Sequence, residues 1–364
     1  MNTLQTIPVI CISGGPCAGK TTVLSFLEQK LNERGYTVVI VNEAATEFKL
    51  SGLKPKLFTG TGFQSHLLQH IIETENRWKK AVTDMVADKK VIICDRGAMD
   101  AAAYVSTNEF NEIINSLKHT VTSLRDERYD AIIFLRSVAY DMPEVYTRTN
   151  NAAREETVEE AKEIDHKTLS AWIGHPHLRI IGNAGGIETK LNQTLQAVCG
   201  VLGIPEPREM EQKFLLPSID LRILPKGHQS IEVSQQYLIS SNDTEERVRT
   251  WETAGAFAYY HTQKKAIAHG IRLEWERRIS KQEYLILLQR RDPSLGTIQK
   301  TRHCFVWENQ CFELDVFKNP KGLILLEAER FDESHTVTLP PFLMGAQDVT
   351  GITQYSNLSI AKSI

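Results

Sequence analysis

The stretch Gly14-Gly15-Pro16-Cys17-Ala18-Gly19-Lys20-Thr21 constrains the fold more than any other in the chain. It fits the phosphate-binding P-loop pattern G-x-x-x-x-G-K-[ST] at every fixed position. Such a loop needs a strand before it and a helix after it. Ile7-Pro8-Val9-Ile10-Cys11-Ile12 is a short apolar run suited to a buried parallel strand. Val23, Leu24, Phe26, Leu27 and Leu31 recur at helical spacing until Gly35, and residues 37–41 supply a second apolar run. These segments predict one βαβ unit. In it, successive backbone N–H groups cradle phosphate oxygens at a helix N-terminus. Gly14 to Thr21, with Thr22 next, form the expected nucleotide-binding stretch for ATP or GTP. Lys20 is the residue to reach the β- and γ-phosphates, and the Thr21 hydroxyl the one to meet Mg²⁺.

A chain of 364 residues predicts two domains, each able to bury a core. With 41% hydrophobic and 24% charged residues, the composition belongs to the globular class. The formal net charge of −3 gives no global basic field, so nucleic acid is not indicated as a partner. No apolar run reaches membrane-spanning length, and Met1 to Pro8 lacks the apolar region of a signal peptide. The six cysteines (Cys11, Cys17, Cys94, Cys199, Cys304 and Cys311) show no C-x-x-C spacing, which predicts a reducing, cytoplasmic setting without a zinc site or disulfide framework.

Along the first half, Glu43 follows the second strand at the sheet edge where open α/β folds bind ligands. It reads either as the general base for an acceptor hydroxyl, with Glu47 second, or as a first-turn acid complementing a helix dipole. Phe63, Leu67, Ile71, Trp78, Val82 and Met85 predict one face of a long helix over residues 63–88. His66 and His70 lie four apart without an H-E-x-x-H pattern and read as packing or solvated residues. Residues 91–95 form a third strand ending in Asp95, the expected Mg²⁺-orienting acid, followed by Arg96 as a phosphate contact. A helix over residues 110–124, a fourth strand over 129–135 and a fifth over 178–181 complete the sheet. The polar segment Tyr146 to Glu155, entering a helix at Val158, reads as a mobile lid whose Arg148 and Arg154 close on phosphates, or as a solvated face. No N-K-x-D sequence follows the fourth strand, and no helicase or AAA apparatus is evident, so the kinase-like branch of P-loop folds fits best.

Residues 1–203 are thus the expected P-loop domain and 204–213, with Pro205 and Pro207, the linker. From 214 to 364 the periodicity turns from helical to alternating, which predicts a strand-rich domain. Its strands carry same-sign pairs two apart: Arg247 with Arg249, Lys300 with Arg302, Glu274 with Glu276, Glu313 with Asp315, and Glu327 with Glu329. One reading is an antiparallel sheet with a wet face. The other is a closed barrel whose basic pairs hold polyphosphate oxygens and whose acidic pairs hold hydrated Mg²⁺ or Mn²⁺.

The stretches Ile231 to Leu238, Arg247-Val248-Arg249, Thr262-Gln263-Lys264, Leu273 to Glu276, Lys300-Thr301-Arg302, Glu313-Leu314-Asp315 and Leu326 to Glu329 occur in this order and resemble the CYTH, or triphosphate tunnel metalloenzyme, superfamily. The resemblance implies an eight-stranded antiparallel tunnel binding triphosphates with divalent metal. Arg247, Arg249, Lys264, Lys300 and Arg302 are then phosphate ligands, and Glu232, Glu274, Glu276, Glu313, Asp315, Glu327 and Glu329 metal ligands. The family's opening signature, E-x-E-x-K, is matched here against Glu232, Ser234 and Gln236, which keep only the first acid. That departure favours binding over hydrolysis. The first half resembles the kinase-like P-loop domain of bacterial ribosylnicotinamide kinases. The combination resembles the TRPL translocation defect protein family, which implies guanine nucleotide and phosphoinositide binding, with peripheral membrane contact. The expected fold is an α/β P-loop domain with a parallel, kinase-like sheet, followed by an α+β domain with an antiparallel CYTH-like barrel. The expected function is Mg²⁺-dependent NTP binding by a phosphotransferase or NTPase with a phosphorylated ligand in the second domain. The alternative is a non-catalytic trafficking or regulatory module.

Overall fold

A run of Val, Ile and Cys with β-branched bulk is buried at every position as β1 (Val9–Gly14), the centre of a five-stranded parallel sheet. The computed structural model describes residues 7–143, 156–205, 210–240, 244–268, 271–330, 336–343 and 345–364. The lid segment with Arg148 and Arg154 lies outside the described residues. The chain divides into two compact units, Met1–Val198 and Cys199–Ile364.

In the first unit, α1 (Lys20–Asn32) leads from the loop to β2 (Thr37–Val41), α2 (Ala44–Leu50) and α3 (Gly62–Asp84). β3 (Lys90–Asp95), β4 (Ala131–Leu135) and β5 (Leu178–Ile181) follow, in the sheet order β2-β3-β1-β4-β5. This order sets β3, ending in Asp95, on one side of the P-loop strand and β4 on the other, with Cys11 opposite Cys94 and Gly14 opposite Leu135. The fold class read from the sequence is the one observed.

Two local expectations are corrected. The single helix read over residues 110–124 is two, α4 (Thr107–Ser116) and α5 (Val121–Arg125). Lys118 takes a positive φ of 60°, and Thr120 then opens a fresh capping box with Ser123. The helix expected over 63–88 ends at Asp84, so Met85 lies past it and is exposed; on α3 itself Trp78 is exposed, while Leu68, Ile72 and Glu75 are buried with Phe63, Leu67 and Val82. Glu75 on the buried face is held by Arg128 and accepts from the Tyr129 hydroxyl at 2.8 Å. After β4 come the short α6 (Val138–Asp141), α7 (Val158–Trp172) and α8 (Gly186–Leu202).

The second unit is a nine-stranded sheet. Its strands are β6 (Glu211–Leu215), β7 (Gln229–Tyr237), β8 (Thr244–Thr253), β9 (Ala256–Ala268), β10 (Ile271–Ile279), β11 (Ile298–Trp307), β12 (Gln310–Asn319), β13 (Ile324–Glu329) and β14 (Gln347–Asp348). They are ordered β10-β9-β8-β7-β11-β12-β13-β6-β14, antiparallel throughout. β6 begins inside the stretch read as linker.

One sheet face is apolar. Phe214, Phe305, Phe312, Leu314 and Leu326 pack there with Val337 and Leu343, and α9 (Lys281–Leu288) covers Val248 through Tyr284. The other face carries charge, yet Arg249, Lys264, Lys300, Arg302, Asp315 and Glu327 are all buried. These charged side chains come from β8, β9, β11, β12 and β13 and pair with charges across the face, as they do when a sheet curls around them, so this face is concave. Near one end Tyr237, Ile298, Phe317 and Leu325 share that face and pack against Ile360 of α10 (Asn357–Lys362).

Candidate functional site

The P-loop is built by close backbone approach. Gly14 has φ 149°, and a Cβ there would lie 2.3 Å from the Leu135 carbonyl oxygen. At Gly15 a Cβ would lie 2.6 Å from the Cβ of Asp165. Only glycine fits either position. Cys17 (φ 57°) and Gly19 (φ 83°) take left-handed conformations, which turn successive amides toward one side as an anion-binding nest. Lys20 Nζ donates to the carbonyls of Gly14 and Gly15, each at 3.2 Å, so its charge sits at the loop. Burial, then the neighbouring Arg96, lowers its pKa to about 8. Thr21 and Thr22 are exposed on the first turn of α1.

Arg96 is the hub of the β3 side. It takes an ion pair from Glu43, donates to the Gly14 carbonyl at 3.1 Å and pairs with Asp100 at 3.2 Å. Asp100 also accepts from Ser13 Oγ at 2.6 Å and from Trp172 Nε1 at 2.7 Å. Burial raises the Glu43 carboxyl, but Arg96 and Lys20 outweigh it and hold its pKa at about 2. A carboxylate held that low is a weak base, so this geometry weighs against Glu43 as the acceptor-activating residue and makes it the partner that orients Arg96. Glu47 instead pairs with His70 at 3.1 Å, on the surface. Burial raises the Asp95 carboxyl. Its Oδ1 is buried without a hydrogen-bond partner among the described residues. An orphaned acid oxygen on the strand beside the P-loop fits the expected Mg²⁺.

Sequence reasoning missed Asp165. Its Oδ1 accepts from the Gly15 N–H at 3.1 Å and from the Ser137 N–H at 2.9 Å, while its Oδ2 pairs with Arg136 at 2.9 Å. It lies 150 residues from Gly15, so no local motif reveals it. The available signal was an acid on the buried helical face of Ala161, Thr168, Leu169 and Trp172.

On the concave face of the second unit, strand register gathers the same-sign pairs. Arg247, Arg249, Lys264, Lys300 and Arg302 all project to it, as do Glu274, Glu276, Glu313, Asp315, Glu327 and Glu329. Their charges cancel locally. Asp315 takes Lys300 and, at 2.7 Å, Arg302 Nε; Glu327 takes Lys213 at 2.8 Å and Arg302 at 2.9 Å; Glu313 also pairs with Arg302. Glu274 pairs with Lys264 at 3.2 Å and Arg247 at 3.5 Å, and Glu276 with Arg249 and with Thr262 Oγ1 at 2.5 Å. Burial raises Glu327, yet Lys213, Lys300 and Arg302 pull it well below the usual carboxylate range. Among the described residues no group of three or more His, Cys, Asp or Glu side chains is set to hold a metal ion. With these carboxylates engaged by cations, the donor set as arranged does not fit divalent metal.

Glu232 is a correction. It lies on the opposite face, where it accepts from Thr301 Oγ1 at 2.9 Å and pairs with exposed Lys318 at 2.5 Å. Gln236 is there too, accepting from the Tyr284 hydroxyl at 3.0 Å. Because alternate strand residues face opposite sides, the set Glu232, Ser234 and Gln236 points away from the charges. The missed signal is upstream: Glu209-Met210-Glu211-Gln212-Lys213 reads E-x-E-x-K without departure. Glu209 lies outside the described residues, but Glu211 and Lys213 stand on β6 opposite Glu329 and Glu327, on the concave face.

The family model described as AAA domain matches residues 9–190, half of the chain. The chain belongs to that family. The AAA-domain match spans β1 through the start of α8, and with the complete P-loop in its strand–loop–helix setting it makes the first unit a nucleotide-binding domain. This corrects the expectation that AAA character is missing. No curated relative matches the chain. Among solved structures, it is similar to the inorganic triphosphatase NE1496, with 27% identity, 43% of this chain and 95% of that one covered, and a TM-score of 0.31. It is also similar to the Hippeastrum protein HpAC1, titled a putative adenylyl cyclase with dominant triphosphatase activity, at 18% identity, 34% and 80% coverage and a TM-score of 0.26. A third is the NadR protein in complex with NR, at 16% identity, 55% and 52% coverage and a TM-score of 0.40. No helix among the described residues is long and apolar enough to cross a membrane.

Proposed function

We propose that the first unit is a Mg²⁺-dependent P-loop phosphotransferase or NTPase acting on ATP or GTP. The observation that carries this is the pairing of a loop-seated Lys20 with an orphaned Asp95 oxygen on the adjacent strand. In this reading the loop amides and Lys20 hold the phosphates, while Thr21 and Asp95 hold the metal, which when bound neutralises charge on the terminal phosphates. Arg96, oriented by Glu43 and Asp100, adds a fixed positive charge at the loop. Arg148 and Arg154 are proposed to close over the transition state. The two domains are proposed as residues 1–203 and 214–364, the second extended to include Glu211 and Lys213 of β6.

The concave face is proposed to bind a phosphorylated ligand, a triphosphate or a phosphoinositide headgroup, through Lys213, Arg247, Arg249, Lys264, Lys300 and Arg302. The ligand would exchange with the carboxylates that now pair these cations. A second reading follows from Glu43 and from those ion pairs: a non-catalytic GTP- and phosphoinositide-binding regulatory module, cytoplasmic with peripheral membrane contact, as the TRPL translocation defect resemblance implies.

The test is incubation with Mg²⁺ and each NTP, with nucleosides and phosphoinositides as acceptors, and mass-spectrometric resolution of products. Product formed by wild type and lost in Lys20→Ala supports the enzyme. Identical profiles for the two proteins remove it and leave the binding module.

A further inference from the structure

The two sides of the P-loop strand differ in chemistry. On the β3 side stand Asp95, Arg96 and Glu43, the charged groups suited to the terminal phosphates and metal. On the β4 side stands a short aromatic segment that the proposed reaction does not use. Ser137 Oγ donates to the Pro16 carbonyl and the Val138 N–H to the Cys17 carbonyl at 3.4 Å, so this segment is fastened to the loop. Three residues after Ser137, on α6, Tyr140 is 49% exposed.

One face of that ring is occupied. The Arg136 guanidinium lies over it, 3.8 Å from the ring centroid, and Arg136 itself is buried. Asp165 ties the guanidinium to the Gly15 N–H, so Gly15, Asp165, Arg136 and Tyr140 form one continuous chain of contacts. Asn183, two residues past the end of β5, fixes the same segment, donating to the Ser137 carbonyl and to Asp141, each at 3.1 Å. A half-exposed ring with a guanidinium on one face, two residues after a segment fastened to the phosphate-binding loop, is suited to stack on a flat, electron-deficient partner. Open α/β sheets bind ligands along the carboxyl edge of their strands, and a nucleotide with its phosphates in the loop runs along that edge. The charged β3 side is taken by groups suited to phosphate, which leaves the β4 side for the base.

We propose that the free face of Tyr140 is the stacking platform for the base of the bound nucleotide, with Arg136 as the cation beneath the ring. The assignment rests on the nucleotide-binding reading of the P-loop. Stacking on one ring face accepts either purine, so the platform sets affinity for a base and not the choice between adenine and guanine.

The experiment uses the full chain and a fluorescent N-methylanthraniloyl nucleotide, displaced by ATP, by GTP and by inorganic tripolyphosphate. The signal lost in Lys20→Ala defines P-loop occupancy. Within that signal, Tyr140→Ala should weaken ATP and GTP by roughly tenfold to a hundredfold while tripolyphosphate competes as in wild type. Tyr140→Phe should keep wild-type nucleotide affinity, since the ring and not the hydroxyl does the stacking. Equal weakening of nucleotide and tripolyphosphate, or no weakening of either nucleotide, overturns the platform. Wild-type nucleotide binding by Lys20→Ala overturns the P-loop reading itself, a separate result.

Discussion

The P-loop of the first unit and the concave face of the second are both proposed as phosphate sites, but they are made of different material. The loop is built from backbone amides, two glycines with no room for a side chain, and one principal cation, Lys20. The concave face is built from side chains of several strands, and each cation there already meets a carboxylate. A backbone site is preorganised and carries little net charge to desolvate. A side-chain site must bury its ions, and burial is tolerable only if they pair. The loop can therefore stand ready for a ligand, whereas the concave face has to trade internal ion pairs for ligand contacts.

The largest effect that would break this comparison is on stability. Asp315 is fully buried and holds both Lys300 and Arg302. Asp315→Ala should cost about 3–5 kcal/mol, because two buried cations lose their shared acid. Denaturant unfolding of the full chain, followed through a probe in the second unit, measures it. A change below about 1 kcal/mol would mean the pairs are not buried as described.

Next is the Glu43–Arg96 pair. The folded pKa of Glu43 is lowered from 4.5 to about 2, so its stabilisation is present above pH 4.5 and lost as pH falls toward 2. Wild type should exceed Glu43→Gln by up to about 3 kcal/mol at neutral pH, and the gap should close across that window. A gap independent of pH would show that Glu43 acts by packing and not by charge.

A smaller effect separates the two sites by titration. Lys20 has a pKa of about 8, so nucleotide affinity at the P-loop should fall about tenfold per pH unit above 8. The Arg247 and Arg302 guanidinium groups keep their charge there, since nearby carboxylates offset burial and raise them further. Lys300 is the concave-face cation whose pKa burial lowers, so binding of a triphosphate that survives Lys20→Ala should fall less steeply over this range than binding at the P-loop, its arginines staying charged. Isothermal titration at pH 7, 8 and 9 checks both.

The smallest expected effect tests the face assignment. Glu232→Gln removes an exposed pair with Lys318 and should change stability and triphosphate binding by less than about 1 kcal/mol. Lys213→Ala should weaken triphosphate binding clearly. If the two variants weaken it equally, the register that sets Glu232 on the outer face is wrong.

The P-loop domain was legible because its information is local. Strand, glycine loop and helix are consecutive, and their periodicities change where the chain turns. The same-sign pairs two apart likewise announced one charged face, because strand side chains alternate. Glu232 was misread for the same reason that makes the rule useful: a shift of one residue moves a side chain to the other face. The E-x-E-x-K run at Glu209 to Lys213 was passed over because flanking prolines suggested a linker, and only its pairing with β13 makes it a strand.

By itself, the sequence determined the phosphate-binding loop, the parallel sheet around it and the antiparallel character of the second half, all features of short-range pattern. Tertiary structure decided the rest. It brought Asp165 to Gly15, set Glu43 against Arg96 so that a candidate base became a fixed anion, and paired Glu274, Glu276, Glu313, Asp315 and Glu327 of the concave face with cations. These outcomes depend on which distant groups share a low-dielectric space, and neither spacing nor composition encodes that distance.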